Sequence, residues 1–266
     1  MQTVAGFLER PAARIYYEVS GSGPALVFAH GLGGNHLSWW QQAPYFARDY
    51  TCVTFAHRGF APSTGDPPDP RLFGDDLEAL IDRLKLAEVR LVAQSMGGWC
   101  CLEYALRHPE RVAKLVLADT AGTVDFATLD PPGREKVAEW QSRNRGAIEE
   151  LFRKGIHPAA GERMAREQSA LHFLYREIDR LSNVGDKDLL RARLMEMRTL
   201  PVSRLSEMRT PVLFICGEED VVFPPPAAAA LAASMPNAEL RLVADTGHSV
   251  YFERAAIFNG LVGSFL

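Results

Sequence analysis

Three side chains of this sequence, Ser95, Asp220 and His248, could together carry out nucleophilic catalysis. Ser95 lies in AQSMG, where an apolar run meets a helical pattern, with small residues two positions before and two after it. A tight turn from strand to helix needs such small residues, and it lifts the serine hydroxyl clear of the sheet. Asp220 ends the segment GEED and His248 ends DTGH, each just after a later apolar run. A histidine can take the serine proton, and a carboxylate can orient the histidine.

A glycine-rich segment, HGLGG at 30–34, follows another apolar run. Backbone N–H groups in such a loop can point at the oxyanion that forms when serine attacks a carbonyl. The N–H of Met96, the residue after the serine, is the natural second donor. A phosphate-binding loop is the alternative, but no Gly-Lys-Ser/Thr follows and the Gly-x-Gly-x-x-Gly spacing is absent.

Each of these residues has a simpler interpretation when it is taken alone. Ser95 and Asp220 could be helix caps, and a lone histidine is more often structural than catalytic. The combination is more specific, because the order is Ser, Asp, His and each follows an apolar run. Ligand sites of open α/β sheets lie at the carboxyl ends of the strands.

The elements that would position these residues are short, nearly continuous apolar runs that alternate with helical patterns. Such runs are typical of a parallel sheet covered on both faces, here a right-handed doubly wound one. Residues 14–19, followed by GSGP, predict an antiparallel hairpin that enters the sheet. Helices are predicted at 72–84 and 99–107, and strands at 25–29, 52–55, 89–93, 115–118, 212–216 and 240–243.

One long segment, residues 125–205, interrupts the alternation, and we call it the insertion. It has no apolar run of strand type and contains 15 basic and 13 acidic residues. Its apolar residues have the spacing of amphipathic helices. We therefore expect an α/β core domain formed by residues 1–124 and 206–266, with a helical domain at 125–205 packed on it. If an arginine of the insertion points inward, it would favour an acidic substrate.

Composition excludes several classes of protein. The chain has 266 residues and a net charge of −4, which disfavours a nucleic-acid partner. Four cysteines match no zinc-binding spacing, and we expect free, buried thiols. No stretch approaches the roughly 20 apolar residues that span a bilayer. These features predict a cytoplasmic protein with no membrane partner.

The motifs together resemble those of the α/β-hydrolase superfamily. HGLGG at 30–34, AQSMGG at 93–98, RHPERVAKLVLAD at 107–119, GEEDVVFP at 217–224 and TGHSVYFE at 246–253 carry the likeness. The resemblance implies an α/β-hydrolase fold with a mostly parallel sheet and the insertion as a cap. It also implies a catalytic triad of Ser95, Asp220 and His248, and an oxyanion hole formed by the Leu32 and Met96 backbones.

One position departs from what many relatives carry, and another competes with Asp220 for the role of triad acid. His57 stands in FAHRGFAPS, where relatives have aspartate, and we interpret it as a structural exchange rather than a second titrating group beside the pocket. Asp119 follows the run at 115–118, a place where some members of the superfamily carry the triad acid. We assign that role to Asp220, because its Gly-x-x-Asp context is intact.

Within the superfamily, the chain is similar to bacterial carboxylesterases, 3-oxoadipate enol-lactonases and meta-cleavage C–C hydrolases. We therefore expect hydrolysis of a small or medium carboxylic ester or lactone through an acyl-enzyme, without metal or organic cofactor. C–C hydrolysis of vinylogous diketones, or a slow-turnover receptor or regulator, remains an alternative, and the chain could be a monomer or a homodimer. The candidate pocket residues are Gly33, Trp39, Trp40, Phe126, Trp140 and Val222.

Overall fold

An eight-stranded sheet forms the centre of the computed structural model, which describes residues 2–65 and 67–266. The strand order is β1-β2-β4-β3-β5-β6-β7-β8. From β4 onward in this order all neighbours are parallel, whereas β1 and β2 pair antiparallel with each other and β2 pairs antiparallel with β4. The strands are β1 (Thr3–Arg10), β2 (Ala13–Ser20), β3 (Ala25–Ala29), β4 (Thr51–Phe55), β5 (Val89–Gln94), β6 (Val112–Ala118), β7 (Val212–Gly217) and β8 (Ala238–Val243).

Apolar side chains project from both faces of this sheet, and a separate hydrophobic core covers each face. In β3, Val27 packs into one cluster, whereas its neighbours Leu26 and Phe28 pack into the other. A strand buried on both sides must be apolar at every position, which explains the uninterrupted ALVFA. The helices are α1 (Ala43–Phe46), α2 (Phe73–Arg83), α3 (Gly97–Arg107), α4 (Pro131–Arg143), α5 (Ala147–Arg153), α6 (Gly161–Glu167), α7 (Ser169–Leu181), α8 (Lys187–Glu196), α9 (Pro225–Ser234), α10 (Val250–Glu253) and α11 (Ala255–Phe265).

The fold class predicted from the sequence is confirmed, but the hairpin differs from the prediction. Its partner strand is β1, and its turn is at Pro11 and Ala12, where Ala12 has φ of 55°. The GSGP segment instead connects β2 to β3, which do not pair. The sequence pattern does not predict strand β1, because its residues are mostly exposed and do not form an apolar run.

The insertion contains five α-helices, α4–α8, between β6 and β7. The chain enters and leaves it side by side, since Asp125 N–H donates to Leu200 O at 2.8 Å and Leu200 N–H donates to Thr123 O at 3.0 Å. Helix α4 packs on α9 of the core, where Gly133 lies against Ala230. We call the bridge between residues 123–125 and Leu200 the neck of the insertion.

Two expectations from the composition concern the cysteines and membrane-spanning helices. All four cysteines are buried free thiols, as expected. Across 2–65 and 67–266, no helix combines the length and the apolar character that crossing a membrane requires.

Helix α3 lies very close to β3, and Gly97 makes this possible. A Cβ atom at Gly97 would lie 2.2 Å from the carbonyl oxygen of Ala29. Backbone atoms cannot move away as a flexible side chain can, so a side chain at position 97 would force α3 off the sheet.

We expect Gly97→Ala to lower the free energy of unfolding by about 1–3 kcal/mol, as overpacking of a core does. Gly260 is the matched control, because it lies inside α11 with nothing within 4 Å of an added Cβ. Gly260→Ala should be neutral or stabilising by up to about 1 kcal/mol, the helix-propensity difference. Urea unfolding measures both, and equal effects of the two substitutions would contradict the packing argument.

Candidate active site

Ser95 occupies the turn from β5 to α3 in a left-handed conformation, with φ of 48°. Its N–H donates to Ala118 O of the neighbouring strand at 3.0 Å, which holds the turn against β6. The glycine-rich loop comes close on the other side, since a Cβ at Gly31 would lie 3.1 Å from Ser95 Cβ and 2.1 Å from Gln94 Oε1. A non-glycine residue rarely adopts this backbone conformation, and such strain clusters at functional sites.

A continuous chain of hydrogen bonds joins the three residues singled out in the sequence. Ser95 Oγ lies 2.9 Å from His248 Nε2, and His248 Nδ1 lies 2.8 Å from Asp220 Oδ2. Because the carboxylate can only accept, Nδ1 carries the proton and Nε2 is free to accept from the serine hydroxyl. The order Ser, Asp, His in sequence thus becomes Ser–His–Asp in space.

Backbone hydrogen bonds hold the aspartate and the histidine in place. Asp220 Oδ1 accepts from Val222 N–H at 2.7 Å and from Phe223 N–H at 2.9 Å, leaving Oδ2 for the histidine. Gln94 Nε2 donates to His248 O at 3.0 Å, so the residue before Ser95 ties down the histidine loop. These contacts give the imidazole one orientation before any ligand is present.

Asp119 is a second buried carboxyl beside this chain. Its Oδ1 accepts from Gly217 N–H at 3.0 Å, and Oδ2 has no hydrogen-bond partner among the described residues. Burial, reinforced by the charge of Asp220, raises the pKa of Asp119 well above its ordinary value. Asp119, Asp220 and His248 have metal-ligand-type atoms within 4.8 Å of one another. The atoms of Asp220 and His248 already form hydrogen bonds with each other, so we assign the cluster to hydrogen bonding.

The two residues whose N–H groups are expected to form an oxyanion hole both lie beside Ser95. Leu32 and Met96 line the same cavity as Ser95. Within 2–65 and 67–266, neither N–H has a hydrogen-bond partner in the protein. Unpaired N–H donors beside a serine hydroxyl are suited to hold a negative oxygen.

A cavity of about 580 Å³ opens above Ser95, between the sheet and the insertion. Four of the six candidate pocket residues line it: Gly33, Phe126, Trp140 and Val222. The structure places Trp39 and Trp40 elsewhere, which corrects that part of the expected set. Trp39 is fully buried against Phe28 and Tyr251, and Trp40 is exposed beside Phe252. Both tryptophans lie only a few residues after the glycine-rich loop, where the local sequence pattern does not show which way a side chain points.

His57 lies in the core, away from this cavity. Its ring stacks on Phe73 at 4.6 Å between centroids, and neither ring nitrogen has a hydrogen-bond partner among the described residues. Burial lowers its pKa well below the ordinary value, so the ring is neutral. This environment favours the interpretation of His57 as a structural exchange.

The sequence did not single out the polar cavity residues that come from the insertion. Tyr175 of α7 accepts a hydrogen bond from Ser249 Oγ at 3.3 Å, which joins the insertion to the histidine loop. Lys187 pairs with Asp179, and Arg198 lies against Phe126. Amphipathic spacing separates buried from exposed faces of a helix, but it does not tell a cavity from a core.

The comparison with known families agrees with this architecture. The family model described as alpha/beta hydrolase fold matches residues 24–255. The chain belongs to this family. The match runs from β3, through the site residues, to α11, and includes the insertion.

Relatives of this α/β hydrolase carry several hydrolytic activities in their names. The protein RutD of Rhizobium rhizogenes, named as a carbamate hydrolase, is 28% identical over 95% of this chain and 97% of its own. A 2-hydroxy-6-oxononadienedioate/2-hydroxy-6-oxononatrienedioate hydrolase of Burkholderia vietnamiensis is 28% identical, over 95% and 91%. Among solved structures, Est816, titled as an N-acyl homoserine lactone degrading enzyme, has a TM-score of 0.78 and 28% identity, covering 98% of this chain and 100% of that one.

The raised pKa of Asp119 predicts a pH-dependent loss of stability in this hydrolase. The unfolded chain ionises Asp119 above its ordinary pKa of 3.8, whereas the folded chain retains the proton to higher pH. Unfolding then releases a proton, so rising pH favours the unfolded state. Asp119→Asn removes this effect and keeps an oxygen for Gly217 N–H.

The free energy of unfolding of Asp119→Asn, relative to wild type, should therefore increase from pH 4.5 towards pH 8. Urea titrations of the two proteins at matched pH values measure this difference. A difference that stays constant or shrinks over this range would show that Asp119 is not held protonated by the fold.

Proposed function

We propose that this α/β hydrolase cleaves small or medium carboxylic esters or lactones through an acyl-enzyme on Ser95. The supporting observation is the hydrogen-bond chain from Ser95 Oγ through His248 to Asp220, which opens into a cavity that Leu32 and Met96 also line. Nucleophile, base and orienting carboxylate have the mutual distances that acyl transfer by serine requires.

The first half-reaction follows from the direction of these hydrogen bonds. Ser95 Oγ attacks the substrate carbonyl carbon while its proton moves to His248 Nε2. Asp220 stabilises the imidazolium that results and keeps the proton on Nδ1. When the carbonyl re-forms, the bond to the leaving oxygen breaks, and Nε2 returns the proton to that oxygen. The acyl group remains on Ser95 as an ester.

Water completes the cycle by the same route in reverse. His248 removes a proton from a water molecule as its oxygen attacks the acyl carbon, and Nε2 then protonates Ser95 Oγ as it leaves. Leu32 and Met96 donate their N–H groups to the oxyanion of both tetrahedral intermediates. Such a donor contributes about 3–4 kcal/mol to the stability of the transition state.

The cavity supports a small or medium substrate. Its volume of about 580 Å³ lies within the range of about 300–1,000 Å³ that holds most small ligands. We propose that the insertion, residues 125–205, is a cap domain that closes this space over Ser95. Phe126 and Trp140 would then contact the acyl or alcohol part of the substrate.

C–C bond hydrolysis on the same residues is the second candidate. The observation in its favour is the relative from Burkholderia vietnamiensis, which is named as a 2-hydroxy-6-oxononadienedioate/2-hydroxy-6-oxononatrienedioate hydrolase. A panel of p-nitrophenyl esters, lactones and vinylogous diketones separates the two candidates by their relative kcat/KM values.

Ser95→Ala tests the proposed nucleophile. The variant should lose p-nitrophenyl butyrate hydrolysis by at least about 10³-fold, because removal of a triad serine costs up to about 10⁶-fold in kcat. Ser206→Ala is the matched control, an exposed serine whose loss should leave the rate unchanged. Equal rates for Ser95→Ala and wild type, or a single slow turnover by wild type, would refute the proposal of an esterase.

Asp220→Asn tests the orienting carboxylate. An amide presents a donor to Nδ1 and favours the wrong imidazole tautomer, so kcat should fall by about 10³–10⁴-fold with melting temperature nearly unchanged. Asp49→Asn, on the exposed surface, is the control. Stopped-flow measurement should show loss of the acylation burst, and an intact burst in Asp220→Asn would contradict its role.

A further inference from the structure

Arg198 is a cation on the cavity wall with no counter-charge in the described part of the chain. It follows α8 and lines the same cavity as Ser95 and His248. No salt bridge or side-chain hydrogen bond involves its guanidinium, and its buried Nε has no partner among residues 2–65 and 67–266. Arg198 is partly buried, and charges withdrawn from water are normally paired, so an unpaired arginine on a cavity wall is suited to bind an anionic ligand.

The other charged groups on this wall differ from Arg198. Lys187 pairs with Asp179, and Arg191 pairs with Asp188, so each cation is balanced by its own carboxylate. Glu149 also lines the cavity, but its side chain is exposed to solvent. Arg198 is thus the lining cation that has no carboxylate partner among the described residues.

Aromatic rings hold the Arg198 head group in place. Its Cζ lies 4.6 Å from the ring centroid of Phe126 and 5.2 Å from that of Trp99. Trp99 is itself fixed by a hydrogen bond from its Nε1 to Leu194 O at 3.0 Å. A guanidinium stacked on aromatic rings keeps its N–H groups free to bind a carboxylate in the plane of the fork.

The backbone around Arg198 is equally constrained. Two residues further on, Leu200 forms the neck of the insertion with Val124. Arg198 therefore projects from a fixed point on the boundary between core and insertion. Burial lowers its pKa to about 10, so the group stays charged at neutral pH.

We infer that Arg198 binds a carboxylate on the substrate, remote from the carbonyl that Ser95 attacks. The preferred substrates would then be half-esters or lactones of dicarboxylic acids rather than neutral esters. This inference rests on the proposed function, since it takes Ser95 as the reacting group. Arg198 would select the substrate by charge, and the reaction itself would remain that of Ser95.

Two esters of one acyl chain test this selection. p-Nitrophenyl hydrogen adipate carries a free carboxylate, and methyl p-nitrophenyl adipate has the same chain without charge. A six-carbon chain keeps the carboxylate from assisting its own ester through a small cyclic anhydride. Arg198→Gln should lower kcat/KM for the anionic ester by about 10- to 100-fold, the effect of about 1.5–3 kcal/mol from hydrogen bonds to a charged group.

The neutral ester and a surface arginine provide the controls. For methyl p-nitrophenyl adipate, the change in Arg198→Gln should stay below about threefold, because a group that acts only on the carboxylate does not alter the chemical step. Arg180→Gln, on the exposed side of α7, should leave both rates unchanged. If Arg198→Gln does not fold, Arg198→Met keeps an apolar stem against Phe126 and Trp99 and gives the same test.

A binding measurement separates this inference from the proposed reaction. Calorimetric titration of adipate into Ser95→Ala, with and without Arg198→Gln, should show at least about tenfold weaker binding without the arginine. Hydrolysis of both esters with no charge-dependent loss in Arg198→Gln would overturn the inference and leave the esterase proposal standing. If neither ester is hydrolysed, the esterase proposal fails. Adipate binding then decides alone: dependence on Arg198 supports the inference, and equal binding overturns it.

Discussion

The left-handed turn at Ser95 is the constraint on which the rest of the site depends. A serine at φ of 48° is strained by itself, and it persists only because its surroundings hold it. Gly97 lets α3 approach β3, and Gly31 lets the glycine-rich loop approach Gln94. The Gln94 side chain in turn holds the histidine loop through a hydrogen bond to the backbone oxygen of His248. The close packing that keeps Ser95 in this conformation is thus the same packing that brings His248 within hydrogen-bond distance of it.

The buried charges of the site follow from where the strands end. Asp119 follows β6 and Asp220 follows β7, two neighbouring strands, so two carboxyl groups are forced together below His248. Both cannot be ionised at low energy in a buried space. The two carboxyl groups differ in their hydrogen bonds. Asp220 accepts from two backbone N–H groups and the histidine, whereas Asp119 Oδ1 accepts from Gly217 N–H and its Oδ2 has no partner within 2–65 and 67–266. Asp119 therefore takes the proton, and Asp220 stays free to hold the imidazole.

The sequence predicted the parts of this structure that depend on local pattern. The central strands β3 and β7 are apolar because both of their faces are covered, and Ser95, Asp220 and His248 each follow an apolar run. Strand β1 escaped prediction because an exposed edge strand needs no apolar run. Trp39 and Trp40 were placed in the pocket on residue type, but their direction depends on long-range packing against α10, which local spacing does not encode. In the sequence, Arg198 is one of many charged residues of the insertion. The structure distinguishes it, because it has no carboxylate partner among the described residues.

The sheet and the insertion contribute different properties to the cavity. Groups that exchange protons must stay within hydrogen-bond distance of one another, and the ends of parallel strands, held by their ladders, keep them there. The insertion is joined to the core at the neck formed by Val124 and Leu200 and by packing of α4 on α9. In the proposed reaction the reacting groups therefore come from the ends of the sheet strands, whereas selection by size and by charge would fall to Trp140 and Arg198, which line the cavity from the insertion.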